Sequence, residues 1–190
     1  LGISFQAKGL FTGNGQLTVN LLDDTLPLTG QIKWPSQALN YKTLDTVSAG
    51  QVDIDGKMGE YQLALGGAVN EQTLGNVVVN AKLLLTNNVL KIVQLDVNVL
   101  GGRIINRGEL NFVEGIHGSG STRVEQLSLT PLFKQSGIEH LPARLIVYIG
   151  EWEYQVAQRE SGIELSVTKL AAIIQQAEKQ LKIDGQAAFS

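Results

Sequence analysis

Apolar and polar residues alternate with a period of two along most of the chain. The alternation is clear in residues 3–7, 95–99 and 163–167, where Ser, Gln, Asp, Asn and Glu separate the apolar positions. Successive side chains of a β-strand point to opposite faces of a sheet, so this pattern is typical of strands with one apolar and one polar face. The sequence therefore predicts an all-β fold.

A short motif recurs along the chain: Gly, then Gln or Glu, then two apolar residues separated by one residue. Its copies begin at Gly15, Gly30, Gly50, Gly59, Gly108, Gly150 and Gly185. The spacing between copies is irregular, which argues against a solenoid of fixed period and favours a meander of antiparallel hairpins. We expect the glycines to supply kinks and bulges that let a long twisted sheet curl, and Asp-Asp, Asn-Asn and Asp-Gly pairs to form turns.

Two segments depart from the alternation. Residues 126–142 contain two prolines and predict an irregular connection, with a helical turn near Leu132 to Gln135. In residues 168–182 the spacing of the apolar residues fits a helix, and Thr168 could cap it. The pattern there leaves two alternatives open, a short helix near 168–180 or a distorted strand.

Composition narrows the function classes. The chain has 190 residues, of which 43% are hydrophobic and 17% charged, and its net charge is −3. It has no cysteine, which excludes thiolate metal sites and thiol nucleophiles. No Lys/Arg-rich run is present, so we expect no nucleic-acid partner. Both termini fall in apparent strands, so we expect residues 1–190 to be one repetitive β segment of a larger protein.

Residues that could carry chemistry are few. The two histidines, His117 and His140, are accompanied by no cysteine and no cluster of carboxylates, and we expect no metal site. Residues 53–56 resemble the start of a calcium loop, but Ala64 stands where such a loop needs Glu, and a strand ending in a turn at Asp55-Gly56 is favoured. Glu151 and Glu153 share one strand face, which we interpret as solvated. We therefore predict no enzyme activity, no catalytic residue and no cofactor.

The apolar alternation positions are the candidate functional residues. They are Leu17, Val19, Ile32, Trp34, Val52, Ile54, Leu63, Leu65, Val97, Val99, Leu110, Phe112, Leu145, Val147, Trp152, Tyr154 and Phe189. They would form either a sandwich core covered by a second sheet or an uncovered groove that holds acyl chains. Burial of methylenes is non-directional, so a groove for acyl chains needs no convergent polar groups, and alternation does not separate these two interpretations.

The succession of several motifs resembles a known family. Leu28 to Pro35 (LTGQIKWP) is followed by Ser48 to Gly56 (SAGQVDIDG), Tyr61 to Leu65 (YQLAL), Leu100 to Ile104 (LGGRI) and Gly108 to Phe112 (GELNF). In this order they resemble the repetitive part of the AsmA-like superfamily, and most closely the TamB family of translocation and assembly module proteins. Residues 168–182 do not match the family pattern.

The resemblance implies a long curled antiparallel sheet, a β-taco or open groove, whose concave face is apolar. It implies a segment of an inner-membrane-anchored protein that lies in the periplasm of a Gram-negative bacterium. It further implies phospholipid transport between the inner and outer membranes, support of outer-membrane biogenesis and protein assembly, and an outer-membrane Omp85-type partner that is TamA-like. No catalytic residue is implied.

Three functions remain as hypotheses. The first is a groove that contacts phospholipid acyl chains. The second is a chaperone module that binds strands of outer-membrane proteins along an exposed sheet edge. The third is a glycan-binding or glycan-cleaving β protein, suggested by Trp34, Trp152 and Tyr154.

Overall fold

The computed structural model describes residues 1–7, 12–41, 43–137, 145–159, 162–176 and 179–189. They form strands and one short helix. The elements are β1 (Gly2–Ala7), β2 (Gly13–Val19), β3 (Leu28–Trp34), β4 (Gln37–Tyr41), β5 (Leu44–Val47), β6 (Gly50–Lys57), β7 (Glu60–Glu71), β8 (Gly75–Thr86), β9 (Val89–Val99), β10 (Gly102–Asn111), β11 (His117–Ser128), α1 (Thr130–Gln135), β12 (Leu145–Arg159), β13 (Gly162–Gln176) and β14 (Lys179–Phe189). The predicted all-β fold is confirmed.

All the strands belong to one antiparallel sheet. Its order is β1-β2-β3-β6-β7-β8-β9-β10-β11-β12-β13-β14, with β4 and β5 beside this path. Each strand on the path pairs with the next along the chain, apart from the β4–β5 excursion, which is the meander that the irregular motif spacing predicted. In the part of the chain that the structure describes, β1 and β14 do not pair with each other. The result is one long curled sheet with two free edges.

The β4–β5 hairpin continues β3 and β6 in the same register. Trp34 pairs with Gly50, and three residues further on Gln37 pairs with Val47. Pro35 lies between the two segments, and its lack of a backbone N–H interrupts the ladder. The Trp34 indole Nε1 donates to the Ser48 carbonyl oxygen across this gap, over 3.0 Å. Residues 28–41 and 43–57 therefore form the two sides of one long hairpin, each with a break in the middle.

The sheet has an apolar face and a polar face, which we name by the sides on which Leu63 and Gln62 lie. Residues paired across a ladder share a face, so the register assigns a face to every paired residue. The main strand path contains three bulges, at Val93, Tyr148 and Thr168. Each bulge inserts one residue into one strand, and the alternation of faces resumes after it, so residues paired beyond the bulge can still be assigned to a face. Ile92 and Leu95, and likewise Val167 and Leu170, consequently lie on the same side of the sheet before and after a bulge.

Three expectations about local structure need correction or refinement. No helix forms near 168–180: β13 ends at Gln176 and β14 begins at Lys179, so the distorted strand is the correct alternative. The connection predicted over residues 126–142 begins later, because β11 runs to Ser128, and α1 contains the helical turn expected there. The expected turn at Asp55-Gly56 is wrong, since β6 continues to Lys57 before the chain turns.

The ladder glycines do not make the bulges of the main strand path, contrary to expectation, since the bulges at Val93, Tyr148 and Thr168 fall on residues with side chains. Gly15, Gly30 and Gly50 lie on the apolar face, where a large side chain of a neighbouring strand covers each of them. A Cβ at Gly15 would collide with the Phe5 ring, for example. A glycine at these positions leaves room for the side chain of the residue on the neighbouring strand.

Few side chains are fully buried. Among the described residues, the buried hydrophobic ones are Val77, Val99 and Val124, and Val124 is 2% exposed. All three lie on the apolar face, in the middle strands of the sheet. The elements that contact each other closely are neighbours in the sheet, and the described strands all belong to one sheet, so no second sheet lies over the apolar face in the described part of the chain. A covered sandwich core, one of the two interpretations of the alternation, is therefore not what the described residues form.

Candidate functional site: the apolar face

Two continuous rows of residues cross the sheet on its apolar face. The first row is Ile3, Leu17, Gly30, Ile54, Leu63, Leu83, Ile92, Gly108, Gly120, Tyr154, Val167 and Ala187. The second row is Phe5, Gly15, Ile32, Val52, Leu65, Ala81, Leu95, Asn106, Thr122, Trp152, Leu170 and Gly185. Neighbouring strands lie about 4.8 Å apart, so each row is about 50 Å long.

The register places the sequence-predicted candidates on this one face. Those in described strands, with described side chains, are Leu17, Val19, Ile32, Trp34, Val52, Ile54, Leu63, Leu65, Val97, Val99, Leu110, Leu145, Val147, Trp152 and Tyr154. The position of Val147 follows from its contact beside Gly150, 3.2 Å from where a Cβ would be. Phe112 follows the end of β10 and is 44% exposed. Phe189 pairs with Leu165 through its backbone, and its side chain lies outside the described part.

The aromatic side chains of this face lie flat on glycines. The Trp34 indole covers both Gly50 and Gly67, and its Cζ2 atom would be 3.0 Å from a Cβ at Gly67. The Tyr154 ring covers Gly120 and reaches Gly108, which is paired with Gly120. The glycines thus keep the face shallow where the largest side chains lie, and the rings add apolar surface rather than block it.

The apolar face is partly exposed along its length. Leu63, Leu65 and Leu110 have intermediate exposure, and all three lie in the one sheet that the described strands form. Toward the β1 edge the exposure rises, to 40% for Phe5 and 48% for Ile3. Contiguous exposed apolar surface of this extent on a protein marks a place where another apolar molecule binds.

Sequence reasoning missed a polar cluster in the middle of this face. The Asn106 side-chain amide Nδ2 donates to Thr122 Oγ1 over 2.8 Å and to the Tyr154 hydroxyl over 3.1 Å. The Tyr154 hydroxyl in turn donates to Asn106 Oδ1 over 3.2 Å. Thr122 is 8% exposed. The three residues come from β10, β11 and β12, and the signal that finds them is the cross-strand register rather than any local spacing.

The polar face carries paired charges. Arg103 Nε donates to both Asp96 carboxylate oxygens, at 2.9 and 3.0 Å, and this hydrogen bonding holds the pKa of Asp96 below its ordinary value against the opposing effect of burial. Arg123 bridges Glu125 and Glu151 at 2.7 and 2.6 Å. These pairs link β9 to β10 and β11 to β12 on the side opposite the apolar face.

The predicted solvated position of Glu151 and Glu153 is confirmed. Their side chains are 55% and 59% exposed, and Glu153 lies 3.6 Å from Lys169. They line one side of a hollow of about 340 Å³ on the polar face, together with Arg107 and Arg123. Oppositely charged neighbours on an open face are typical of a solvated surface rather than of a cleft between two catalytic carboxylates.

Other chemistry finds little support in the described residues. They contain no group of three or more His, Asp or Glu side chains able to hold a metal ion. His117 is exposed at the start of β11, and His140 falls outside the described part of the chain. No helix in the described structure has the length and apolar character needed to cross a membrane.

Comparison with known proteins gives one clear match. The family described as TamB, N-terminal domain, matches residues 1–188, which is nearly the whole chain. No curated protein and no solved structure matches the chain. The family match agrees with the long antiparallel sheet found above. The chain therefore belongs to the TamB family, whose members are structural and transport proteins of the bacterial envelope.

Proposed function

We propose that this chain is a hydrophobic groove segment for phospholipid transport between the inner and outer membranes, supporting outer-membrane biogenesis and protein assembly. One observation carries the proposal. Two rows that consist of apolar residues and glycines, apart from Asn106 and Thr122 in the second row, run from β1 to β14 on one face, and the described strands form no second sheet over them. The rows include Leu63 in the first and Leu65 in the second, near the middle of the sheet.

The energetics favour an acyl chain as the occupant. Transfer of one methylene out of water is worth about 0.8 kcal/mol, so an acyl chain crossing an aqueous compartment unprotected meets a large barrier. A row of apolar side chains that continues from strand to strand lowers this barrier at every position. Because the interaction is non-directional, no single residue of the row has to be essential.

Family membership places the proposal in the cell envelope. We infer that the chain is a single segment of a larger, inner-membrane-anchored protein of a Gram-negative bacterium and that it lies in the periplasm. We infer further that the full-length protein works with an outer-membrane Omp85-type partner that is TamA-like. The absence of charged residues from both rows supports a lipid as cargo rather than a soluble, charged metabolite.

A pair of adjacent substitutions tests this function. Leu63 and Gln62 are neighbours in β7 and lie on opposite faces. The purified chain is incubated with phosphatidylethanolamine/phosphatidylglycerol vesicles, separated from them by flotation, and its bound lipid is quantified by mass spectrometry. We expect Leu63→Asp to lower bound lipid at least tenfold, because a carboxylate on the row must be desolvated when an acyl chain covers it. Gln62→Asp should bind like the wild type. Equal loss in both folded variants, or no lipid on the wild type, contradicts the proposal.

The free sheet edges support a second candidate, a strand-binding chaperone module for outer-membrane proteins. Charged residues and prolines usually keep an edge strand from pairing with another chain, and residues 2–6 of β1 contain neither. An extended segment of another protein could pair with this edge through its backbone. This function needs the edge and not the apolar face, so substitutions on the two surfaces separate the candidates.

A further inference from the structure

The polar cluster interrupts both rows at the same place. Among the residues of the two rows, Asn106, Thr122 and Tyr154 are the ones with hydrogen-bonding groups in contact with one another, and no residue of either row is charged. Asn106 and Thr122 are paired in the second row, and Tyr154 reaches them from the first row. An acyl chain that follows either row across the sheet therefore passes the cluster.

The hydrogen bonds within the cluster do not use all of its donors. Thr122 Oγ1 accepts from the Asn106 amide and keeps its own proton to donate. The Asn106 amide and the Tyr154 hydroxyl donate to each other, so the Thr122 hydroxyl proton is the donor of the cluster that remains for a third group. Asn106 and Tyr154 are only half-buried, so an occupant of the face reaches them.

The chemistry of these groups selects a class of ligand. Amide and hydroxyl groups are neutral donors, suited to a neutral acceptor such as an ester carbonyl. A phosphate prefers Arg, Lys or a series of backbone N–H groups, and the two rows offer no cationic side chain. Trp152 is paired through its backbone with Thr122 and Leu170, and its indole adds apolar surface beside the cluster. This is the arrangement expected where the junction between a polar and an apolar part of a lipid rests.

We infer that Asn106, Thr122 and Tyr154 form a binding subsite for the ester carbonyls of a diacyl lipid whose chains lie on the adjacent apolar rows. This inference rests on the proposed function, since it assigns one position of the same face. A lipid that moves along the apolar face would then have one preferred binding position on it. Removal of a hydrogen-bond donor from the cluster weakens binding at that position and leaves the two apolar rows unchanged.

The test compares two lipids that differ in the ester group alone. The chain is offered vesicles of an ester-linked phosphatidylcholine or of its ether-linked counterpart with the same chain length, and bound lipid is quantified after flotation. We expect the wild type to bind the ester lipid about two- to tenfold better, as for one or two net hydrogen bonds between neutral groups. The ratio should fall toward one in Asn106→Leu, Thr122→Val and Tyr154→Phe.

Tyr61→Phe is the matched control. Tyr61 lies on the apolar face between Gly56 and Leu85, away from the cluster, and its variant should keep the wild-type ratio. A ratio of one in the wild type, with both lipids bound, overturns the subsite and leaves the groove intact. So does a wild-type ratio in all three folded cluster variants. If neither lipid binds to the wild type, the proposed function itself fails.

Discussion

Trp34 and Gly50 are paired across β3 and β6, and the indole of Trp34 occupies the space that a side chain at Gly50 would need. A Cβ at Gly50 would also lie 2.6 Å from the Gly66 carbonyl oxygen, which belongs to backbone and cannot rotate away. The same relationship recurs between Tyr154 and Gly120. Large side chains and glycines thus alternate across strands, and this alternation lets rings lie flat on the apolar face.

We predict that Gly50→Val destabilises the chain by about 1–3 kcal/mol, because the added side chain overpacks the position against Trp34 and the backbone. Gly185→Val is the control: Gly185 has the same place in its motif, yet nothing lies within 4 Å of its Cβ position. It should be neutral or stabilising, since Val favours strands and Gly does not. Urea unfolding measures both. Equal stabilities of the two variants would rule out the packing role of the ladder glycines.

A second prediction concerns the bulge at Thr168. The bulge residue lies between Val167, which pairs with Tyr154, and Lys169, which pairs with Glu153, so its deletion leaves regular alternation on both sides. We expect deletion of Thr168 to change the free energy of unfolding by about 1 kcal/mol or less.

Deletion of Ser166 is the comparison for that experiment. It removes a residue from the regular ladder and moves an apolar neighbour, such as Val167, toward the polar face. It should cost about 2 kcal/mol or more, close to the value for exposing one apolar side chain. A larger loss from the Thr168 deletion would show that the bulge itself is required for folding.

The Asp96–Arg103 pair predicts a pH dependence. The folded-state pKa of Asp96 is lowered, so the pair contributes stability above the unfolded-state pKa, near 3.9, and loses it as the pH falls through the lower folded-state value. Asp96→Asn should lose about 1 kcal/mol at pH 7, a modest amount because Arg103 is 45% exposed. The difference from wild type should vanish at the acid end of a pH series of urea unfolding curves.

Glu151→Gln is the control for that series. Glu151 and its partner Arg123 are 55% and 48% exposed, and exposed pairs contribute little. The variant should follow the wild type at every pH. An Asp96→Asn difference that persists below pH 2 would contradict the assignment of the acid-labile contribution to this carboxylate.

The free edge at β1 gives a prediction that separates the two candidate functions. Leu1 and Val19 exchange both backbone hydrogen bonds, at 2.6 and 2.8 Å, so by alternation the N–H of Ser4 points away from β2. Ser4→Pro therefore blocks pairing at the outer side of β1 without breaking the inner ladder. It should leave lipid binding unchanged.

The readout for the edge is fluorescence anisotropy of a labelled peptide with the alternating sequence of an outer-membrane strand. If the chaperone function operates at this edge, Ser4→Pro abolishes binding, and Ser4→Ala retains it. Peptide binding that survives Ser4→Pro excludes the β1 edge as its site.

Much of this fold follows from the sequence, because each strand alternates and each face is chemically distinct. The apolar set on β7, such as Leu63 and Leu65, could be assigned to one face from alternation alone. The sequence pattern near 168–180 could not separate a helix from a distorted strand, and the reason is physical. The bulge at Thr168 separates Val167 from Leu170 by three positions, which is also the spacing of one helical face. A local pattern does not distinguish a bulged strand from a turn of helix.

The sequence could not have predicted the polar cluster either, but the reason is different. Asn106, Thr122 and Tyr154 belong to three strands, and their contact depends on the pairing of β10, β11 and β12. A connection that includes α1 separates β11 from β12 in the sequence, and the register across it is set by the whole ladder. The contact is a property of the assembled sheet, as is the uncovered state of the apolar face.

Site-specific photocrosslinking tests the central claim, that the uncovered apolar face holds lipid along its length. A photoreactive residue is placed at Val52, Leu63 or Leu110 and, as a matched set on the polar face, at the neighbouring positions Asp53, Gln62 or Glu109. With lipid vesicles present, we expect lipid adducts at all three apolar-face positions and only background adduct yield at the neighbouring polar-face positions. Adducts of equal yield on both faces, or on the polar face alone, would contradict the central claim.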